Sequence, residues 1–155
     1  MIDLDLESQR AAQSITKNCR EKDVLENVAT KTLGVLQESG VYAAVLYTFT
    51  RAEKQKPAAA AIRKGLLDML QKLGITLEAG PNAATILPTF ILPALTESIC
   101  KDLDRMLLVK QVWEQALIYT RFGAKAEAKP VKPPGNAAQP VREPETQPAK
   151  PEKRP

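Results

Sequence analysis

What the sequence lacks narrows its chemistry first. It has no histidine in 155 residues. That removes imidazole general acid–base catalysis, Ser–His and Cys–His nucleophile pairs, and every histidine metal site. The seven glycines are scattered singly, so no glycine-rich loop of the nucleotide-binding kinds is present to cradle a phosphate. Asp102 and Asp104 lie two apart on an expected helix, where side chains diverge. They read as partners of a helix N-terminus, not as a shared metal site. Cys19 and Cys100 belong to no metal-type spacing. Lys101 follows Cys100, but neighbours on a helix do not face each other. Both cysteines read as free, packed thiols. No catalytic residue, cofactor or metal is expected, and the chain does not read as an enzyme.

The chemistry that remains is cationic. Between residues 51 and 72, Arg51, Lys54, Lys56, Arg63, Lys64 and Lys72 face only Glu53 and Asp68. This local excess of positive charge surrounds Pro57 and is expected to form one patch. Arg121 and Lys125 are four apart, hence on one face of the last helix. Arg10 and Lys17 share a face of the first helix, with Arg20 beyond them. Such groups can neutralise phosphates without reading bases, a salt-sensitive mode of binding. Charge counting alone equally fits ordinary solvated helix faces. The overall charge of +4 does not decide between them. Residues 1–128 hold 16 basic and 15 acidic side chains, whereas residues 129–155 hold six and three.

The elements that must position these cations read as helices. Apolar residues make up 44% and charged residues 26%, as in a globular domain. An all-α fold is expected: one bundle of about five helices over residues 1–128, with a long C-terminal helix. The first helix spans about 6–20, with Ala11, Ala12, Ile15 and Cys19 on its inner face. The second starts near Asp23, a candidate N-cap with Glu26 three residues on, and buries Leu25, Val28, Ala29, Leu33 and Leu36. Gly40 offers a left-handed residue to end it. Residues 41–50 suit either a buried strand or a helix. With no partner strand, a helix through Tyr42, Val45, Leu46 and Phe49 to about residue 54 is favoured, and Pro57 marks a break. A helix over 58–73 buries Ile62, Leu66, Met69, Leu70 and Leu73 and stops at Gly74. Residues 75–94 read as a packed connector. The last helix runs from about 96 to 127 through Ile99, Leu103, Met106, Leu107, Trp113, Leu117 and Phe122.

Residues 129–155 differ in kind. Eight prolines and no aromatic residue leave too little apolar surface to offset chain entropy, so a disordered tail is expected. No apolar run approaches the roughly 18 residues of a membrane span, and the acidic start, Met1 to Glu7, is unlike a signal peptide. A cytoplasmic location is expected, with no membrane partner.

In three places the chain resembles a known family. These are Arg10-Ala11-Ala12 in the first helix, the helix–glycine–apolar-helix stretch from Leu36 through Gly40 to Phe49, and the closing run from Leu117 through Tyr119, Arg121 and Phe122 to Lys125. Together they are similar to the small subunit of type III-B (Cmr-type) CRISPR effector complexes, over roughly residues 6–128. Tyr119, Thr120 and Arg121 stand where that family usually has Trp followed by Lys-Arg. The resemblance implies a helical, non-catalytic RNA-binding subunit in antiviral defence. It would stack in several copies in a ribonucleoprotein complex, against guide RNA, target RNA and other effector subunits. It carries over Arg10, Arg121 and Lys125 as RNA contacts. Arg51, Lys54, Lys56, Arg63 and Lys64 are added from charge clustering. The alternative is a helical adaptor that docks a partner through its proline-rich tail.

Overall fold

The computed structural model describes residues 1–77 and 87–128. Among them are five α-helices and no strand: α1 Leu4–Asn18, α2 Lys22–Phe49, α3 Lys56–Lys72, α4 Pro88–Leu95 and α5 Leu103–Ala128. The expected all-α bundle with a long last helix is present. The expected disordered tail, 129–155, and part of the connector, 78–86, lie outside the described residues.

Each helix boundary has a local cause. Asp3 caps α1, its carboxylate accepting from the backbone N–H groups of Asp5 and Leu6 at 3.1 Å, which satisfies two otherwise orphaned donors. The helix therefore begins before residue 6. Asp23 does not cap α2; it lies inside the first turn, and Glu21 holds the cap position without a side-chain bond. Gly40 adopts positive φ (+90°) with non-helical backbone, so one helical stretch of α2 ends there as expected and a second begins at once across the kink. Pro57 marks the break between α2 and α3 as expected, from within the first turn of α3, where its missing N–H costs nothing. At the other end of α3, Gly74 (φ +74°) closes a Schellman motif. Ile75 N–H donates to Leu70 C=O at 2.9 Å and Gly74 N–H to Gln71 C=O at 3.1 Å, and Ile75 and Leu70 are both buried.

The last helix departs most from expectation. Residues 96–127 do not form one rod. Pro88–Leu95 is helical, Thr96–Cys100 is a π turn, and a fresh helix starts at Leu103. Asp102 makes the interruption stable by accepting from Asp104 N–H at 3.0 Å and Arg105 N–H at 3.2 Å. The 26 residues of α5 span about 39 Å.

Four contacts fix how α1 and α2 run against α5. Lys22 pairs with Glu127 at 2.8 Å, and Lys110 donates to Gln37 C=O at 3.1 Å, so α2 runs antiparallel to α5. On the other flank, Ser8 donates to Val112 C=O at 3.4 Å and Thr16 packs against Gly123, so α1 runs parallel to α5. Helix α3 closes the bundle against α1 and α2 and scarcely touches α5. One core results, with Trp113, Ile15, Leu25, Leu36, Ile62, Leu66, Leu70, Leu95, Ile99 and Leu117 shut off from solvent. Several residues expected inside are on the surface instead. Leu103, Leu107 and Phe122 are exposed, as are Tyr42 and Leu46. An apolar period carried across a helix break no longer faces one core.

Candidate nucleic-acid interface

Of the cations expected to share one patch around Pro57, Arg51 and Arg63 flank the turn from α2 to α3 and are held in place, whereas Lys72 stands at the far end of α3, about 24 Å from Lys56. Arg51 folds back over Tyr47, with its guanidinium carbon 3.6 Å from the ring centroid. It donates to the Tyr47 hydroxyl at 2.7 Å, to Tyr47 C=O at 3.3 Å and to Thr50 Oγ1 at 3.2 Å. Arg63, on α3, lies over Phe49 at 3.9 Å and donates to Thr48 Oγ1 at 3.3 Å. Burial holds its guanidinium below the usual arginine range. Neither arginine meets a carboxylate among the described residues. A guanidinium has five N–H donors, so both retain donors for a planar anion, and stacking on a ring pre-orders the group for that use.

The lysines of this region behave differently. Lys56 pairs with Glu53 and Lys64 with Asp68 at 2.7 Å; all four side chains are exposed. Such pairs are worth under about 1 kcal/mol and exchange readily. Lys54 is exposed and makes no ion pair among the described residues. The first turn of α3 carries no acidic residue and no side-chain cap; the preceding turn satisfies its first N–H, which Lys56 donates to Ala52 C=O at 3.1 Å.

The turn does not bring its two arginines side by side. Tyr47 and Phe49 are two positions apart, about 160° around the helix, so Arg51 and Arg63 flank the last turn of α2. The remaining candidates lie elsewhere. Arg121 sits about three turns after Lys110 on α5, hence on the α2 side. Its Nε is buried without a hydrogen-bond partner among the described residues, and its guanidinium lies 5.8 Å from the Phe122 ring. Lys125 is exposed one turn further on. This pair belongs to the end of the bundle where α2 begins, whereas Arg51 follows the residue where α2 finishes. Arg10 is on the outer face of α1, paired with Glu7 at 2.8 Å and 63% exposed at its side chain. The cations thus form separate clusters instead of one strip.

No family model, curated protein or solved structure matches the chain. Its own surface is therefore what speaks to function. Among the described residues no group of side chains could hold a metal ion, and no helix is long and apolar enough to cross a membrane. Both thiols are raised above the usual cysteine range by burial, which disfavours the nucleophilic thiolate. Sequence reasoning found the arginines but missed their aromatic supports. Tyr47 could have been found, because it precedes Arg51 by four residues, one helical turn. Phe49 and Arg63 meet only through the fold.

Proposed function

We propose that this chain is a non-catalytic helical RNA-binding subunit, one that grips the sugar–phosphate backbone without reading or cutting it. The observation that carries this reading is the pair of ring-stacked arginines, Arg51 and Arg63, which have donors to spare and no carboxylate partner among the described residues. A half-buried guanidinium without a counter-charge is costly to hold. A phosphate offers it both charge and bidentate geometry. Lys54, Lys56 and Lys64 add a screening field around the arginines, and Arg10, Arg121 and Lys125 supply further anchor points on other faces. Scattered anchor points suit a subunit enclosed by an assembly better than one lying along a single duplex groove.

The finer reading follows from the resemblance in the first, second and last helices. The chain serves as a small subunit of a type III-B CRISPR effector complex in the cytoplasm, stacked in several copies beside guide and target RNA. The near balance of charge in residues 1–128 supports stacking, since strongly charged copies would repel. Affinity purification of the tagged full chain from its native host tests this directly. Guide RNA and effector proteins should copurify in proportion to the bait. Recovery of the chain without RNA or effector subunits would end the CRISPR assignment. The backbone-binding reading is tested separately, by titrating the purified chain with labelled RNA. Replacing Arg51 and Arg63 with Gln should weaken binding about tenfold for each phosphate left unneutralised near 0.1 M salt. Unchanged affinity would refute it.

A further inference from the structure

The face of α5 turned away from the core carries an apolar stripe that the described residues leave uncovered. Leu103, Leu107 and Phe122 are 63%, 52% and 58% exposed, and Ile118 is only partly buried. On a helix, Asp104, Leu107, Gln111, Glu114, Ile118, Phe122 and Lys125 fall within an arc of about 80°. That arc lies opposite Val109, Ala116 and Thr120, which are shut off from solvent. Successive steps of three and four residues are the spacing of a seam between paired helices. Asp104 and Lys125, near its two ends, are exposed, and neither makes an ion pair among the described residues.

We infer that this face pairs with the same face of a second copy, the two α5 helices lying antiparallel about a twofold axis. The stripe is complementary to itself. With the axis between Glu114 and Gln115, Leu107 meets Phe122 of the second copy, Gln111 meets Ile118, and Asp104 meets Lys125. Each contact then occurs twice, as an isologous interface requires. Apolar side chains meet about 11 Å from the axis and opposite charges about 16 Å from it. An unrelated partner would give no reason for both matches to share one centre. Antiparallel helices also set each positive N-terminus beside a negative C-terminus. At the axis itself the two Glu114 side chains approach each other, and that like-charge contact keeps the pair weak. The area agrees. A helix about 39 Å long and 10 Å wide covers about 800 Å² in total when two copies pair, the size of a weak, reversible association. The inference does not rest on the RNA reading. A twofold pair closes at two copies, whereas the stacking proposed above is an open series through other surfaces. Of the RNA anchor points named above, only Lys125 is paired in this register.

Sedimentation equilibrium of the full chain, from low micromolar to millimolar concentration, tests the pairing. It should show a monomer–dimer equilibrium that stops at two copies. Asp104→Lys alone, or Lys125→Asp alone, should cut the association constant about tenfold, because two exposed ion pairs become repulsive. The double variant D104K/K125D should restore it, since the exchanged charges meet again across the axis. Glu114→Gln should strengthen association about threefold by removing the like-charge contact, a gain that misfolding cannot produce. A chain that stays monomeric throughout would overturn the inference and leave the face to a different partner. Growth past two copies would overturn it as well, as would a double variant no better than the single ones, or Glu114→Gln without effect. RNA titration of the Arg51 and Arg63 variants reads the other proposal, so the two can fail separately.

Discussion

If the proposed RNA grip holds, Arg63 is a side chain set apart for a partner. Its guanidinium is stacked on Phe49 and half withdrawn from water, with one Thr48 hydroxyl as its bonded neighbour. A residue kept only for stability would be improved by removing that charge. Arg63→Met should therefore leave the melting temperature within about 4 °C of the parent or above it, while RNA affinity falls. Thermal denaturation alongside an RNA titration checks both halves; a large loss of stability would mark the residue as structural. Tyr119 offers a pH-dependent counterpart. Its hydroxyl donates to Asp5 at 2.6 Å, and that bond to a carboxylate raises it above the usual tyrosine range. Because the folded value is the higher one, the bond contributes fully below the unfolded value near 10. Its contribution disappears as pH rises through the folded value. Denaturant midpoints between pH 8 and 11 should fall more for the parent than for Tyr119→Phe. Parallel curves would show that the bond contributes nothing in solution.

At the scale of elements, two helical glycines make opposite predictions. A Cβ at Gly65 would lie 2.3 Å from Cγ1 of Ile15, a side chain 1% exposed and unable to retreat. Gly65 therefore sets how closely α1 and α3 approach, and Gly65→Ala should cost about 1–3 kcal/mol by overpacking. A Cβ at Gly34 meets nothing within 4 Å, so Gly34→Ala should stabilise α2 by about 0.5–1 kcal/mol. Urea unfolding of the two variants reads both signs, and equal effects would contradict the packing described. Neither role is legible in the sequence, where both are single glycines inside helical patterns. What is legible follows from periodicity. The stripe Ile62, Leu66, Met69 and Leu70 places α3, and Leu25, Val28, Ala29 and Leu36 place α2, all of them buried. Periodicity fails where it outruns the backbone: the apolar pattern continues through the π turn at Thr96–Cys100, and only the Asp102 cap reveals the break. Pro57 does mark a boundary, and its place in the first turn of α3 follows because proline starts a helix as readily as it ends one.

For the molecule as a whole, the charge pattern distinguishes surface from function. The body is nearly neutral, with 16 basic and 15 acidic residues in 1–128. Many of its cations are offset at once by i,i+3 or i,i+4 carboxylates, as with Arg10, Lys56, Lys64 and Lys101. Counting charges along the sequence could not separate these from Arg51 and Arg63, because pairing and stacking are properties of the fold. The two arginines stand out only when their surroundings are known. The same fold spreads the other cations over different faces, which is why a bundle with little net charge can still offer several anchor points to a nucleic-acid backbone.

The most direct measurement is the salt dependence of RNA binding by the full chain and by its Arg51→Gln, Arg63→Gln double variant. If the stacked arginines each neutralise a phosphate, log K falls linearly with log salt for the parent. The variant's slope should then be shallower by about 1.4 to 1.8, the share of two phosphates. Identical slopes, or binding indifferent to salt, would contradict a backbone grip by these two residues.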